Sequence, residues 1–279
     1  MIGRTHRCHT LAAAFIVAVW LLSPATAFAH ADIVERISAL DQQIVQAPDN
    51  AALYFKRGEL HRLHRDWPAA LADYDHAARL DPANPAVHYY RGRMRLEAGD
   101  PAQARPLLDR FLAARPDHAD ALLIRSRALT RLGEGLAAAD DLTRAIALYD
   151  LPTPEVYLER ARALVIAGPD NIGRALNGLD AGIARLGPLV TLIQYAIAIE
   201  RSDGRHQQAL ERLGTLPDMI RLQPTWLAIR GDILRDIGDI EQAQATYRAG
   251  LETIETYPPA RRNSRATVVL ETRLRASLR

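Results

Sequence analysis

The chain has one cysteine, Cys8, and one lysine, Lys56, and aromatic residues make up only 6% of it. A lone thiol cannot close a disulfide within the chain, and thiolate metal sites need several, so the fold must be held by packing. A chain of 279 residues is long enough for that. A surplus of one charge is also missing: 35 basic side chains stand against 33 acidic ones, a net charge of +2. That excludes a purely electrostatic nucleic-acid binder, and a 48% hydrophobic, 24% charged composition excludes disorder. No HExxH, G-x-S-x-G or P-loop pattern occurs, so no catalytic residues are assigned and the chain is expected not to be an enzyme. His61 and His64 have helical spacing that could share a metal, but His61 falls on a packing face. No metal or cofactor is expected.

Only one long hydrophobic run stands out, residues 11–22, and it is short of the roughly 20 residues a membrane-spanning helix needs. Arg4 and Arg7 precede it, Pro24 breaks it, and Ala27-Phe28-Ala29 follows as a small-x-small sequence. Residues 1–29 therefore read as an export signal cleaved after Ala29, leaving a periplasmic or secreted protein. The same run, left uncleaved, would be a membrane anchor. Cleavage would remove Cys8 together with Arg4 and Arg7, so residues 30–279 would carry 33 basic and 33 acidic groups.

The remainder repeats itself. Gly58, Gly92, Ser126, Ala161, Ala196 and Gly231 follow one another at intervals of 34, 34, 35, 35 and 35. Ala70, Ala104, Ala138, Ala175, Ala209 and Ala243 step by 34, 34, 37, 34 and 34, and Tyr74, Leu108, Leu142, Leu179, Leu213 and Tyr247 keep those same steps. Prolines recur at 48, 82, 116, 152, 188, 224 and 258. Within one period, Tyr54, Gly58 and His61 share a helical face, and after a break Ala70, Tyr74 and Ala77 share another. Small residues at matching heights let two helices approach, and the Tyr or Leu fills the space beside them.

These residues resemble tetratricopeptide repeats. The first period carries Tyr54, Gly58, Ala70, Tyr74, Ala77 and Pro82, and the sixth carries Leu227, Gly231, Leu234, Ala243, Tyr247 and Gly250. The second departs from the pattern at Phe111, the fourth has an insertion near residues 168–173, and the fifth is the most divergent. The resemblance implies an all-α solenoid of helix-turn-helix repeats wound into a right-handed superhelix. It divides the chain into a signal (1–29), an N-terminal capping helix or worn half-repeat (30–50), about six repeats (51–257) and a C-terminal capping helix (258–279). That last helix places Ala266, Leu270, Leu274 and Leu278 at i+4 steps and carries six arginines against Glu271, so it caps and could also touch anionic lipid or an acidic partner.

An arginine precedes the small residue in five of the six repeats, at 57, 91, 125, 160 and 230. Asp73 and Asp141, sixteen residues beyond the first and third, are read as its partners across the helical hairpin. The resemblance further implies a groove lined by the first helix of each repeat, in which a protein or peptide lies. By helical phase Glu59, Arg93, Arg127, Arg162, Ile197 and Asp232 face it. Arg93, Arg127 and Arg162 form a ladder suited to carboxylates, or are absorbed between repeats by Asp120 and Glu155. Helix 188–200 is apolar nearly all round; Val190, Ile193 and Ile197, with Leu158 and Val165 beside them, are expected to dock an apolar partner segment unless superhelical closure covers them. The family's clamp for acidic chaperone C-termini needs Lys and Asn where Phe55 and Glu59 stand, so that specificity is not implied. The expected function is an exported scaffold or adaptor; the alternative is a subunit or membrane-proximal anchor of an envelope enzyme or secretion assembly. Nothing marks a nucleic-acid or small-molecule site.

Overall fold

A computed structural model describes residues 24–279. The charged and apolar parts of the expected export signal, residues 1–23, lie outside the described residues. The remainder falls into two compact units, one ending at Asp81 and one starting at Pro82. All regular structure among the described residues is helical.

The first unit holds α1 (Pro24–Gln46), α2 (Ala51–Leu63) and α3 (Trp67–Leu80). α1 begins before the capping helix expected over 30–50, and its stripe Ile33, Ile37, Leu40 and Ile44 is half-buried. Each hairpin helix starts on a cap: Asn50 accepts from the backbone N–H of Ala52, and Asp66 from that of Ala69. α2 and α3 pack through Gly58, where a Cβ would lie 2.6 Å from Tyr74 Cε1. Tyr74 is fully buried and donates its hydroxyl to Glu59 Oε1 at 2.6 Å. The turn between these helices needs a left-handed residue, supplied by Arg65 at φ 63°, where the matching turns of the second unit use Gly99, Gly133, Gly168, Gly204 and Gly238.

The second unit continues as hairpins: α4 (Ala86–Glu97) with α5 (Pro101–Ala114), α6 (Ala119–Arg131) with α7 (Gly135–Leu148), and α8 (Pro154–Ile166) with α9 (Ile172–Leu186). Then follow α10 (Val190–Ser202) with the short α11 (His206–Gly214), one turn α12 (Asp218–Arg221), and α13 (Pro224–Ile237) with α14 (Ile240–Glu255). α15 (Pro259–Arg262) and α16 (Arg265–Ser277) end the chain. The small residues Gly92, Ala104, Ser126, Ala138, Ala161, Ala175, Ala196, Ala209, Gly231 and Ala243 are all buried, as are Leu108, Leu142, Leu179, Leu213 and Tyr247. The insertion in the fourth period forms a 3₁₀ turn, Pro169–Asn171. Phe111 is buried against Tyr89 and His118, so the bulky residue at a normally small position is absorbed by an aromatic cluster.

Two readings of the sequence are corrected here. The expected open face of α10 is core: Ile193 is 3% and Ile197 2% exposed. They pack with Leu213, Leu216, Trp226 and Ile233, and Val190 is partly buried against the same group. The cause is the brevity of α11, after which the chain returns through Leu216 and Ile220 to α13 and closes over α10. Leu192, Ala196 and Ile199 meanwhile pack on the α8–α9 side, which is why this helix is apolar all round. Leu158 packs with that earlier core and not with the Ile193 and Ile197 group, and Val165 is 37% exposed. In α16, Thr267 is buried and Ala266 exposed; Leu274 is fully buried against α14 and contacts the Gly250 position.

Candidate interaction groove

In the second unit the first helices of successive hairpins, α4, α6, α8 and α10, touch one another and form a wall. Arginines of these helices form an interlocked series that takes in Arg127 and Arg162, leaves out Arg93, and adds Arg131 and Arg201, which helical phase does not single out. Arg131 Nη1 of α6 donates to the Leu96 carbonyl of α4 at 2.8 Å. Arg127, also on α6, reaches Glu159 of α8 through Nε at 3.2 and 3.1 Å and Nη2 at 2.9 Å. Arg162 of α8 lies over the Tyr195 ring of α10, 5.5 Å from its centroid. Arg201 of α10 binds Asp236 and Asp232 of α13 at 2.5 and 3.3 Å, and Arg273 of α16 also reaches Asp232. One arginine thus ties each first helix to its neighbour.

The expectation that Asp120 and Glu155 absorb the ladder is not met. Asp120 accepts from the Tyr149 hydroxyl at 2.7 Å, and Glu155 is held by its own backbone N–H and by Thr153. Arg127 instead finds Glu159, one turn beyond Glu155, because the long side chain runs along the wall. Arg93 pairs within α4 with Glu97 at 3.3 Å. The hydrogen bond to Glu159 outweighs burial in holding the Arg127 guanidinium above its usual range. Burial and then Asp120 push the Tyr149 phenol up, so it stays a neutral donor.

Between α4 and α6 the wall opens into a cavity of about 320 Å³. Tyr89, Leu123 and Ile124 give it an apolar floor, and Arg93, Glu97, Asp120, Arg127 and Arg131 rim it. The rim charges are held in place by partners on the protein, which leaves oriented donors and acceptors around an apolar recess. Asp232, by contrast, is no groove residue. It is buried and accepts from the Tyr247 hydroxyl at 2.9 Å as well as from Arg201 and Arg273. Burial, then Asp232, raises the Tyr247 phenol to about 12.

Two hairpin ion pairs lie where the spacing of sixteen places them. Arg57 donates to Asp73 through Nε and Nη2 at 2.9 and 2.6 Å, and Arg125 to Asp141 at 2.7 and 2.7 Å. A third cluster was not anticipated: Arg212 of α11 binds both oxygens of Glu200 and reaches Asp180 of α9. It borders a cavity of about 530 Å³ that Pro188, Ile193 and Thr215 also line. Among the described residues no group of three or more His, Cys, Asp or Glu could hold a metal ion, and no helix is long and apolar enough to cross a membrane.

A family model for the tetratricopeptide repeat matches residues 37–85 and 89–151. Among curated proteins no sequence matches. Among solved structures, a tetratricopeptide repeat protein from Parabacteroides merdae aligns at 17% identity with a TM-score of 0.52, covering 90% of this chain and 95% of that one. YrrB, a repeat protein described as having an unusual peptide-binding site, aligns at 18% identity and a TM-score of 0.55 over 75% of this chain and 98% of its own. The pilF protein of Pseudomonas aeruginosa aligns at 14% identity and a TM-score of 0.50, with 81% and 96% covered. At these identities the structures speak for the fold. Residues 37–85 and 89–151 thus match the tetratricopeptide repeat, and the same helical hairpin carries on through α14, so the described residues form an all-α repeat solenoid similar in fold to tetratricopeptide-repeat proteins.

Proposed function

We propose that this chain is an exported, non-catalytic adaptor that holds a segment of a partner protein along its wall of first helices, with the cavity between α4 and α6 as the principal seat. Repeat solenoids of this kind are generally interaction scaffolds, and YrrB, of similar fold, is described as having an unusual peptide-binding site. The observation that carries the reading is the recess itself, with Tyr89, Leu123 and Ile124 as its floor and paired arginines and carboxylates as its rim. Arg93, Arg127 and Arg162 serve here as oriented donors, not as a field of bare charge, so the segment they suit is a mixed polar and apolar peptide. Export rests on residues 1–29 as read above. A photo-crosslinking amino acid at Leu123, introduced in the native cell, should give a discrete adduct that the same group at Arg110 of α5 does not. Equal labelling at both positions, or none at Leu123, would count against the groove.

A second reading, a subunit or anchor held close to a membrane surface, is favoured by the outer side of α15 and α16. Arg262, Arg265 and Arg279 have no acidic partner among the described residues, and Val268 and Val269 are exposed beside them. Deleting 258–279 would uncover the core around Leu274, so the test is Arg262→Glu with Arg265→Glu, which leaves that core intact. Flotation with anionic vesicles that is abolished by the double substitution supports this reading; no flotation of the parent chain sinks it.

A further inference from the structure

Two hairpins show how the arginine beside the small packing residue is normally held. Arg57 and Arg125 each take one aspartate from the second helix of their own hairpin, Asp73 and Asp141, both only 4% exposed. Each also takes a second aspartate from one helix earlier: Asp41 at 2.6 Å for Arg57 and Asp109 at 2.9 Å for Arg125. Arg160 is the corresponding arginine of α8. Counting from Leu179 as from Tyr74 and Leu142, the own-hairpin aspartate is replaced by Gly178. Counting from Leu142 as from Leu40 and Leu108, the earlier aspartate is replaced by Thr143. Both carboxylates are missing from the site.

What is left is a half-buried guanidinium with one neutral acceptor, Thr143 Oγ1, at 2.7 Å from Nε. A Cβ at Gly178 would lie 2.0 Å from Arg160 Nη1, so the head group has moved into the volume an aspartate would be rooted in. Around it is a cavity of about 360 Å³ to which Thr143, Tyr157, Arg174 and Asn177 also contribute. Arg174 adds a second cation; its nearest acid is Asp140 at 3.6 Å, which is 71% exposed and screened by water. Burial and then the Arg174 charge both work against the charge on Arg160, as befits a cation short of counter-charge.

We propose that this cavity is a carboxylate-binding site, in which a carboxylate supplied from outside the chain takes the forked place that Asp73 and Asp141 occupy on Arg57 and Arg125, with Arg174 and Asn177 completing its hydrogen bonds. The site opens among α7, α8 and α9, on the side of the second helices, and is separate from the groove proposed above. A planar carboxylate matches the guanidinium fork through two parallel N–H···O bonds. The carboxylate comes from an acidic residue or C-terminus of a partner peptide, or from a small free dicarboxylic acid.

The test is an NMR titration of the Arg160 Nε–H resonance in the chain from residue 30 on. Its arms are succinate, a capped peptide with a single Glu, the same peptide with Gln, and inorganic phosphate. A saturable shift with succinate, or with the Glu peptide and not its Gln counterpart, is expected, and which of them binds tighter identifies the source. Gly178→Asp restores the internal acid and should raise Tm while weakening that binding at least about tenfold, since one charged, forked hydrogen bond is worth at least that factor. Arg160→Gln, followed through the Arg174 Nε–H resonance in parallel with the parent chain because its own Nε–H is lost, should weaken it likewise, and stands in if Gly178→Asp does not fold. No saturable shift with any carboxylate, binding of phosphate alone, or undiminished binding in Arg160→Gln overturns the assignment.

Discussion

Replacing Ile193 and Ile197 together with Asp should unfold the hairpins from α10 to α14, seen as a large loss of far-UV helical signal and rapid proteolysis beyond residue 186. The two side chains are 3% and 2% exposed and lie among Leu213, Leu216, Trp226 and Ile233. Truncating such a residue to Ala costs roughly 2–5 kcal/mol through lost contacts and the cavity left behind. Asp adds an unpaired charge to the same space, so two substitutions approach or exceed the roughly 5–15 kcal/mol that holds an ordinary domain together. In a solenoid each repeat leans on its neighbours, so the loss should spread through the adjoining hairpins and spare α4 to α7. Ile197→Val, which removes one methylene, should cost only about 0.5–1.5 kcal/mol and leave the helical signal unchanged. Full retention of helix and Tm in the double Asp variant would mean that this face is open.

That outcome would reverse what the sequence invites. Phase alone puts Ile193 and Ile197 on the groove side of α10, and read so, Asp there looks harmless to the fold. The small-residue series is legible because close helix approach fixes residue size at each period: Gly58 and Gly231 admit no Cβ against Tyr74 and Tyr247. The Arg125–Asp141 pair is legible because both ends fall on one hairpin at a fixed spacing. The cover over α10 is not, because Ala209 and Leu213 keep step with the other repeats while α11 stops at Gly214 and the chain doubles back through Leu216. The partner of Arg127 is hidden for a different reason. Periodicity places a Cα on a wall, but the reach of a long side chain decides between Glu155 and Glu159. The Arg160 cavity emerges only when Gly178 is set against Asp73 and Asp141, and the insertion at Pro169–Asn171 shifts that register by three residues.

Arg212→Ala should be the most damaging single charge removal in the chain, lowering stability by roughly 3–5 kcal/mol, because it strands a buried carboxylate. Glu200 is 3% exposed and receives three hydrogen bonds from this one guanidinium, at 2.9, 3.0 and 2.7 Å. Burial works against the charge on Arg212, yet the bonds to Glu200 and then Asp180 hold it above the usual arginine range, so it stays cationic throughout the accessible pH range. The same residue joins three helices, since Glu200 lies on α10, Asp180 on α9 and Arg212 on α11. Glu200→Gln placed on top of Arg212→Ala removes the stranded charge and should recover a large part of the loss, whereas Asp180→Asn, at an exposed carboxylate, should recover almost none. Glu200→Leu with Arg212→Met should come closest to the parent, because apolar groups of similar volume need no partner there. Urea unfolding of the four variants, repeated at low and high salt, separates this from a surface effect: a half-buried pair is screened far less than an exposed one such as Arg36–Asp32. A loss for Arg212→Ala below about 1 kcal/mol, or one that disappears in high salt, would show that Glu200 keeps its water and that the α9–α10–α11 junction rests on apolar packing alone.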